Sequence, residues 1–300
     1  MKKEYWHALL SLGRVSNLPT ILSNVTVGYY LGGGRIESAP LPWLFCIGAI
    51  VCFYEAGMFL NDICDFSVDS QERPERPLPS GQLTIFSASV IALFLFLLGI
   101  GIVAYFLPGA LFLSLFLIGL IVIYNLVHTQ FRLAPLLMGA CRGSVYLIAA
   151  TAAGWTGLDS YRSSTSGSVL IMSLGLTLYI AAVSFIARDE LKASVGKVRK
   201  VQRVSAFVLL GVVLWPVVFA HQLDSVLLMG FLPVCFWFIT TEIQLIRKEI
   251  SPPKAVGCML AGMSLWDGLV LATVQSVSGM CLAWACFGGA RLWQRRIQSS

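Results

Sequence analysis

The sequence predicts an all-α integral membrane protein, a bundle of about nine transmembrane helices, and three observations carry that reading. Of 300 residues, 57% are hydrophobic and only 12% are charged. The mean hydropathy is +0.80, a balance that no soluble domain of this length sustains. Uncharged apolar runs of roughly 18 residues recur along the chain, each long enough to cross about 30 Å of hydrocarbon. Open sheets leave backbone groups unsatisfied in lipid, so such runs fold as helices.

The first span covers 14–33. Met1-Lys2-Lys3 precedes it, Arg14, Ser16, Asn17 and Pro19 interrupt its start, and no small-residue cleavage site follows. It therefore reads as a retained span rather than a signal peptide. Gly32-Gly33-Gly34 ends it, and the second span follows at 41–62. A charged loop, 63–82, leads to spans at 83–107 and 110–127, separated by the turn signal Pro108-Gly109. Further spans are placed at 134–153 and 168–187, then, beyond a basic loop at 188–203, at 204–221 and 224–246. Ser251-Pro252-Pro253 opens the last, 255–290, which is long for a single span and fits a tilted helix, one helix with an interfacial piece, or two short helices. No repeat or linker divides the chain, so residues 1–300 read as a single domain.

Positive charge orients the bundle. With the N-terminus in the cytoplasm, fifteen of the 21 Lys and Arg fall inside, five outside, and Arg142 within the membrane, as the positive-inside rule requires. An inner or plasma membrane location follows. The exception is the group Arg291, Arg295 and Arg296, which a nine-span chain strands outside.

The eight cysteines lie almost all inside apolar runs, with no Cys-x-x-Cys pair, and the three histidines are scattered. Disulfides and a zinc site are not expected. Nor is a nucleic-acid partner.

The richest stretch is Asn61-Asp62-Ile63-Cys64-Asp65-Phe66-Ser67-Val68-Asp69, at the end of the second span. Helical spacing sets Asp62, Asp65 and Asp69 on one stripe. Burying one carboxylate near a bilayer core costs about 2.5–3.5 kcal/mol, so three together call for a compensating ligand, and a divalent cation suits them. Pro74 forces the chain out of the helix near Glu72. The loop beyond offers Arg73 and Arg76, guanidiniums able to take phosphate oxygens beside a carboxylate-held Mg²⁺.

A second polar knot, Arg188-Asp189-Glu190-Leu191-Lys192, ends the sixth span on the same predicted face, where Asp189 and Glu190 could hold a second metal and clamp a diphosphate between the two knots. Within the membrane, Glu55 shares a stripe with Asp62 and is expected to line a cavity or to be protonated. Arg142 reads as a partner for diphosphate or an acidic acceptor, or as a snorkelling arginine. Asp267 reads as a cavity residue or a packing device. Phe53, Tyr54, Tyr105, Tyr146 and Tyr179 are candidate stabilisers of a developing cation.

Asn61-Asp62-x-x-Asp65-x-x-x-Asp69, the following Arg-Pro-Glu-Arg-Pro-Leu-Pro-Ser-Gly at 73–81, and Arg14-x-x-Asn17-x-Pro19 in the first span resemble the UbiA superfamily of intramembrane prenyltransferases. The resemblance covers nearly the whole chain. It implies helices around a central cavity, and two Asp-rich motifs that bind the diphosphate of an isoprenoid donor through Mg²⁺. Asn61, Asp62, Asp65 and Asp69 would be the first motif, and Asp189 and Glu190 would begin the second. The family's Tyr-x-x-x-Lys at the end of the fourth span reads here Tyr124-Asn125-Leu126-Val127-His128, with histidine for lysine. Lys192 and Ala193 stand where the second motif would carry a further aspartate. Arg188 or Lys192 would supply the missing cation.

The expected activity is Mg²⁺-dependent transfer of a prenyl group from a polyprenyl diphosphate to a small acceptor, in contact with membrane lipid. Asp62, Asp65, Asp69 and Asp189 would be catalytic. Asn17, Asn61, Arg73, Arg76, Tyr124, His128, Arg142, Arg188 and Lys192 would bind substrate. The alternative is a non-catalytic protein that binds or moves an isoprenoid or another amphipathic metabolite.

Overall fold

The computed structural model describes residues 9, 12–156, 164–190, 211–220, 223–247 and 249–296. Its long helices are α1 (Leu18–Leu31), α2 (Pro40–Cys64), α4 (Ile85–Phe106), α5 (Leu111–Val127), α6 (Ala134–Ala152), α7 (Ser164–Glu190), α8 (Ser225–Ile246), α9 (Pro252–Thr273) and α10 (Val277–Arg296), with a short α3 (Phe66–Glu72) after α2. Residues 211–218 are also helical, within the predicted 204–221 span, whose first half lies outside the described residues. Seven of the described helices are long and apolar enough to cross a membrane. The count of nine is not reproduced as such.

Helix starts follow local chemistry. Proline occupies the first turn of α1, α2, α6 and α9, where its missing N–H costs nothing. Thr84 accepts the Ser87 N–H to cap α4, and Asp224 accepts the Leu227 N–H to cap α8.

The reading of 255–290 as one span resolves into its two-helix form. Gln275 takes a left-handed φ of 57°, and the buried Ser276 hydroxyl accepts the Gly279 N–H at 3.2 Å. The chain thus turns between α9 and α10 without proline or glycine at the break. Ser278, at the start of α10, meets Glu37 in the loop between α1 and α2, and Gly289 lies against Pro19 at the beginning of α1. The C-terminal arginines are therefore not stranded: α10 carries the chain back to the face that bears Arg14.

Two apolar clusters fill the bundle. One gathers α1, α6, α7, α8, α9 and α10 around Trp266, Tyr146 and Tyr179, and the other gathers α1, α2, α4, α5 and α6 around Phe53, Ile50 and Leu117. The core span α9 is the most enclosed and α4 the most exposed. Phe86, Leu93, Phe94, Leu97, Phe112 and Phe116 face outward, as side chains meeting lipid do.

Small residues bring α6 into position. Gly139 and Gly143 abut α7, where a Cβ on Gly143 would stand 2.1 Å from Thr177 Oγ1 and 2.8 Å from the Ser173 carbonyl oxygen. Ser173 Oγ in turn donates to the Gly143 carbonyl at 2.6 Å, a close approach of the small-x-x-x-small kind.

Candidate active site

The Asp-rich segment is built by an interrupted helix. The α2 helix ends at Cys64, the Asp65 N–H closes back to the Asn61 carbonyl, and α3 runs on to Glu72. Arg73 leaves the helix with φ −145°, as Pro74 demands. The loop then folds back on the bundle. Gly81 supplies a left-handed φ of 75°, the Leu83 N–H donates to the Pro77 carbonyl at 3.1 Å, and Leu78 and Leu83 bury against Leu12, Phe59, Ala88 and Ala92. That anchoring returns Arg76 to the aspartates.

Arg76 Nη1 lies 2.6 Å from Asp69 Oδ2 and 3.8 Å from Asp62 Oδ1, all three residues being buried. Arg14 approaches from the other side, donating to Asn61 Oδ1 at 3.3 Å and lying 3.7 Å from Asp62. It does so from a left-handed backbone, φ 46°, a conformation that costs about 1–3 kcal/mol in a non-glycine residue.

Asp65 departs from the predicted stripe. It turns to His128, whose Nε2 is 3.0 Å away, while His128 Nδ1 sits 3.1 Å from the Asn125 carbonyl. The hydrogen bond to Asp65 raises the imidazole above its ordinary value, against a partial burial that lowers it. When protonated, the imidazole pairs with Asp65 as a cation. Asn125, which the sequence reading passed over, accepts from Asn61 Nδ2 at 3.1 Å and donates to the Ile121 carbonyl. A carboxamide late in an apolar span was its one signal.

The end of α7 reaches the same face. Arg188 Nη1 donates to the carbonyls of Phe131 and Arg132 at 2.6 and 3.0 Å, in the turn that follows His128. Asp189 and Glu190 are the last two residues of α7, and Lys192 lies outside the described residues. Arg188 thus holds a loop here rather than an aspartate. Arg73 is half-buried, and among the described residues its side chain makes no hydrogen bond or ion pair to the cluster.

Behind Asn61 opens a cavity of about 720 Å³, its mouth included, between α1, α2, α5 and α6. Arg14, Asn61, Tyr124 and Asn125 line it near the helix ends that carry the Asp-rich segment, Tyr54 and Arg142 further along α2 and α6, and Ile21, Ile50, Phe53, Leu117, Ile121 and Val145 make apolar walls. Tyr124 stacks on His128 with ring centres 5.3 Å apart. Asn17 donates to the Tyr54 hydroxyl at 3.3 Å.

Of the other predicted aromatics, Phe53 and Tyr54 line this space. Tyr105 is 80% exposed, and Tyr179 donates to the Met259 carbonyl in the core. Tyr146 donates to Asp267. Asp267 is a packing device: fully buried, it accepts from Ser23 Oγ at 2.5 Å and Asn24 Nδ2 at 2.8 Å as well, joining α1, α6 and α9. Glu55 is not among the residues lining the cavity. Its carboxylate fills the space beside Gly13, where a Cβ would meet Oε2 at 2.0 Å, because the segment before α1 crosses that face of α2.

Among the described residues, no three His, Cys, Asp or Glu side chains are already gathered as a metal cluster. The donor set nonetheless suits a hard divalent cation. Asp62 Oδ1 is buried without a hydrogen-bond donor, an acceptor left open in a low-dielectric position, with the Asp65 and Asp69 carboxylates one turn and two turns on.

Comparison with known proteins agrees with this architecture. A structure titled the apo structure of a UbiA homolog from Aeropyrum pernix K1 superposes with a TM-score of 0.66 at 18% identity, over 85% of this chain and 96% of that one. Digeranylgeranylglyceryl phosphate synthase of Methanopyrus kandleri is 36% identical over 98 residues, 31% of this chain and 34% of the relative. Naringenin 8-dimethylallyltransferase 2, chloroplastic, of Sophora flavescens is 28% identical over 80 residues, 27% of this chain and 17% of the relative. The matched stretches thus span about a third of the first of these curated relatives and less than a fifth of the second. The model of the UbiA prenyltransferase family matches residues 21–261, which takes in the helices and the Asp-rich segment that build the cavity: the chain belongs to the UbiA prenyltransferase family.

Proposed function

We propose that the protein transfers a prenyl group from a prenyl diphosphate to a small acceptor within the bilayer. One observation carries the reading: an apolar cavity whose polar mouth sets Arg14 and Asn61 beside the Asp62 carboxylate. The named relatives are synthases and transferases of isoprenoid groups, which supports the same chemistry.

Asp62, Asp65 and Asp69 would hold Mg²⁺, which when bound neutralises the charge of the leaving diphosphate. Arg14 and Arg76 add positive potential at the mouth, where the diphosphate would lie. The apolar walls take the prenyl chain and exclude water from the allylic carbon. Tyr54 and Phe53 offer π faces to positive charge developing there. The carbon–oxygen pair leaves with diphosphate, the acceptor nucleophile bonds to the allylic carbon, and its proton passes to water at the mouth. Asp189 and Glu190, on the same face, are proposed to complete the diphosphate site.

The test is turnover of geranylgeranyl or farnesyl diphosphate by purified protein, read as Mg²⁺-dependent diphosphate release and prenylated product. Asp62→Ala is expected to lower both roughly 100-fold or more while the protein still inserts. Normal turnover by that variant would overturn the mechanism. A second reading, binding or carriage without chemistry, draws on the pairing of Asp65 and Asp69 with protein cations, and predicts ligand retention without release.

A further inference from the structure

Arg291, the first of the arginines that close the chain, stands near the end of α10 and is half-buried. Its guanidinium lies over the Trp237 ring of α8, 5.1 Å from the centroid, and its Nη1 donates to Gln294 Oε1 at 3.0 Å. A guanidinium has five N–H donors. Most of the fork therefore has no protein acceptor among the described residues.

Three helices set that fork in place. Gln294 donates through Nε2 to the Gly257 carbonyl of α9 at 3.1 Å, which turns its Oε1 to Arg291. Trp237 donates through Nε1 to the Cys258 carbonyl at 2.9 Å and meets Phe287 of α10 edge-on, ring centres 4.7 Å apart. The indole settles on α9 because Gly262 has no side chain: a Cβ there would stand 2.9 Å from Trp237 Cδ1. A snorkelling arginine needs no such seat, since its head finds water.

No carboxylate answers this charge. Helix α10 has no acidic residue, and the one in α9, Asp267, is buried ten residues beyond Gly257, about 15 Å along the axis. On α8, Glu242 is five residues after Trp237 and so about 140° round the helix from it. Glu249, past the end of α8, pairs with Arg247 at 3.8 Å. Lys254 is exposed one turn before Gly257 on the same face of α9. None of the ion pairs among the described residues involves Lys254 or Arg291.

The surroundings are those of a lipid boundary. Leu292 and Trp293, beside Arg291, are exposed, as are Phe236, Ile239 and Ile243 along α8. Apolar and aromatic side chains next to a bare guanidinium mark the level where acyl chains give way to headgroups. None of these residues lines the cavity of the candidate active site.

We propose that Arg291, seated on Trp237 and oriented by Gln294, binds the phosphate of an anionic membrane phospholipid, with Lys254 as a second cation and the acyl chains along the exposed side of α8. The planar fork suits two phosphate oxygens, and basic residues between membrane helices at the interface recruit anionic headgroups. A soluble anion would gain nothing from the apolar flank, so the occupant is a lipid. The site stands whether or not the cavity transfers prenyl groups. Trp237 and Gln294 act through Arg291 and are positioning residues.

The experiment reads lipid retention by the purified full chain, delipidated in neutral detergent and offered phosphatidylglycerol or phosphatidylcholine of matched acyl chains, with bound lipid counted by native mass spectrometry. Phosphatidylcholine has the same phosphate but also a choline cation, which Lys254 and Arg291 repel. Wild type is expected to hold phosphatidylglycerol roughly tenfold tighter. Arg291→Gln should abolish most of that preference, Arg291→Lys should keep part of it, and Lys254→Gln and Gln294→Ala should each lower it severalfold. Arg247→Gln, at an exposed arginine outside the site, should leave it unchanged. Should Arg291→Gln not fold, Lys254→Gln and Gln294→Ala decide. No preference in wild type, or an unchanged one in the site variants, overturns the proposal. So does an equal loss in Arg247→Gln, which would mean a diffuse basic surface, or displacement of the lipid by millimolar inorganic phosphate, which would mean a site for a small anion.

Discussion

Arg76 and Asp69 meet at 2.6 Å across a loop that leaves the membrane helix, turns at Gly81 and is pinned by two leucines. Both side chains are under 10% exposed, so the pair is buried and its loss is costly. Arg76→Ala leaves Asp62 and Asp69 without their shared cation and is expected to destabilise the metal-free protein by about 3–5 kcal/mol. Thermal unfolding followed by tryptophan fluorescence in EDTA reads this. Added Mg²⁺ with a prenyl diphosphate should restore part of the loss, and an unchanged midpoint in EDTA would refute the buried-pair account.

Gly143 packs against α7 so closely that any side chain strikes backbone. Its Cβ would lie 2.8 Å from the Ser173 carbonyl oxygen, and that oxygen cannot rotate away. Gly143→Val is expected to cost about 1–3 kcal/mol by overpacking and to displace the adjacent Arg142. Size-exclusion profiles and thermal midpoints in detergent report the first effect.

Arg188 ties the end of α7 to the turn after α5 through two carbonyls. Since the contact is partly open to solvent, Arg188→Ala should cost only about 1 kcal/mol. Its local signature should be clearer: faster hydrogen exchange of the amides at 128–134, with exchange in α9 unchanged. Uniform acceleration across the bundle would contradict a local tether.

The Gln275–Ser276 turn makes a topological prediction. Reporters fused after Ser300 and inserted in the 74–82 loop should fall on the same side of the membrane, because α10 runs from Glu37 back to Pro19. Opposite sidedness would refute the two-helix reading of the C-terminal segment.

Local chemistry made much of this legible. Pro74 after an apolar run located the end of the Asp-rich helix, and Gly32-Gly33-Gly34, Pro108 and Pro252 marked real boundaries. The break at Gln275 carries no such residue and is made by one left-handed backbone and one buried hydroxyl, so for 255–290 the sequence leaves one long helix and two short ones both open, with no residue to place the break. The divergence of Asp65 was hidden for a different reason. Spacing placed it with Asp62 and Asp69, but its partner His128 comes from another helix end, and pairing across helices is not written in periodicity. Arg142 and Asp267 were visible as polar residues in lipid; which of them faces the cavity depended on the rotation of α6 and α9, which Gly139, Gly143 and the Ser23–Asp267 contact set.

The mouth of the cavity is close to electrically balanced before anything enters it. Three carboxylates face two guanidiniums and an imidazole, so a solitary divalent ion gains less there than at an uncompensated acidic patch, and must compete with Arg76 for the same oxygens. A polyanion arriving with its counter-ion changes the sum, since it gives the displaced guanidinium somewhere to go. Loading by a lone cation is disfavoured by the resting charge arrangement itself, and a cation and a polyanion would be expected to enter together.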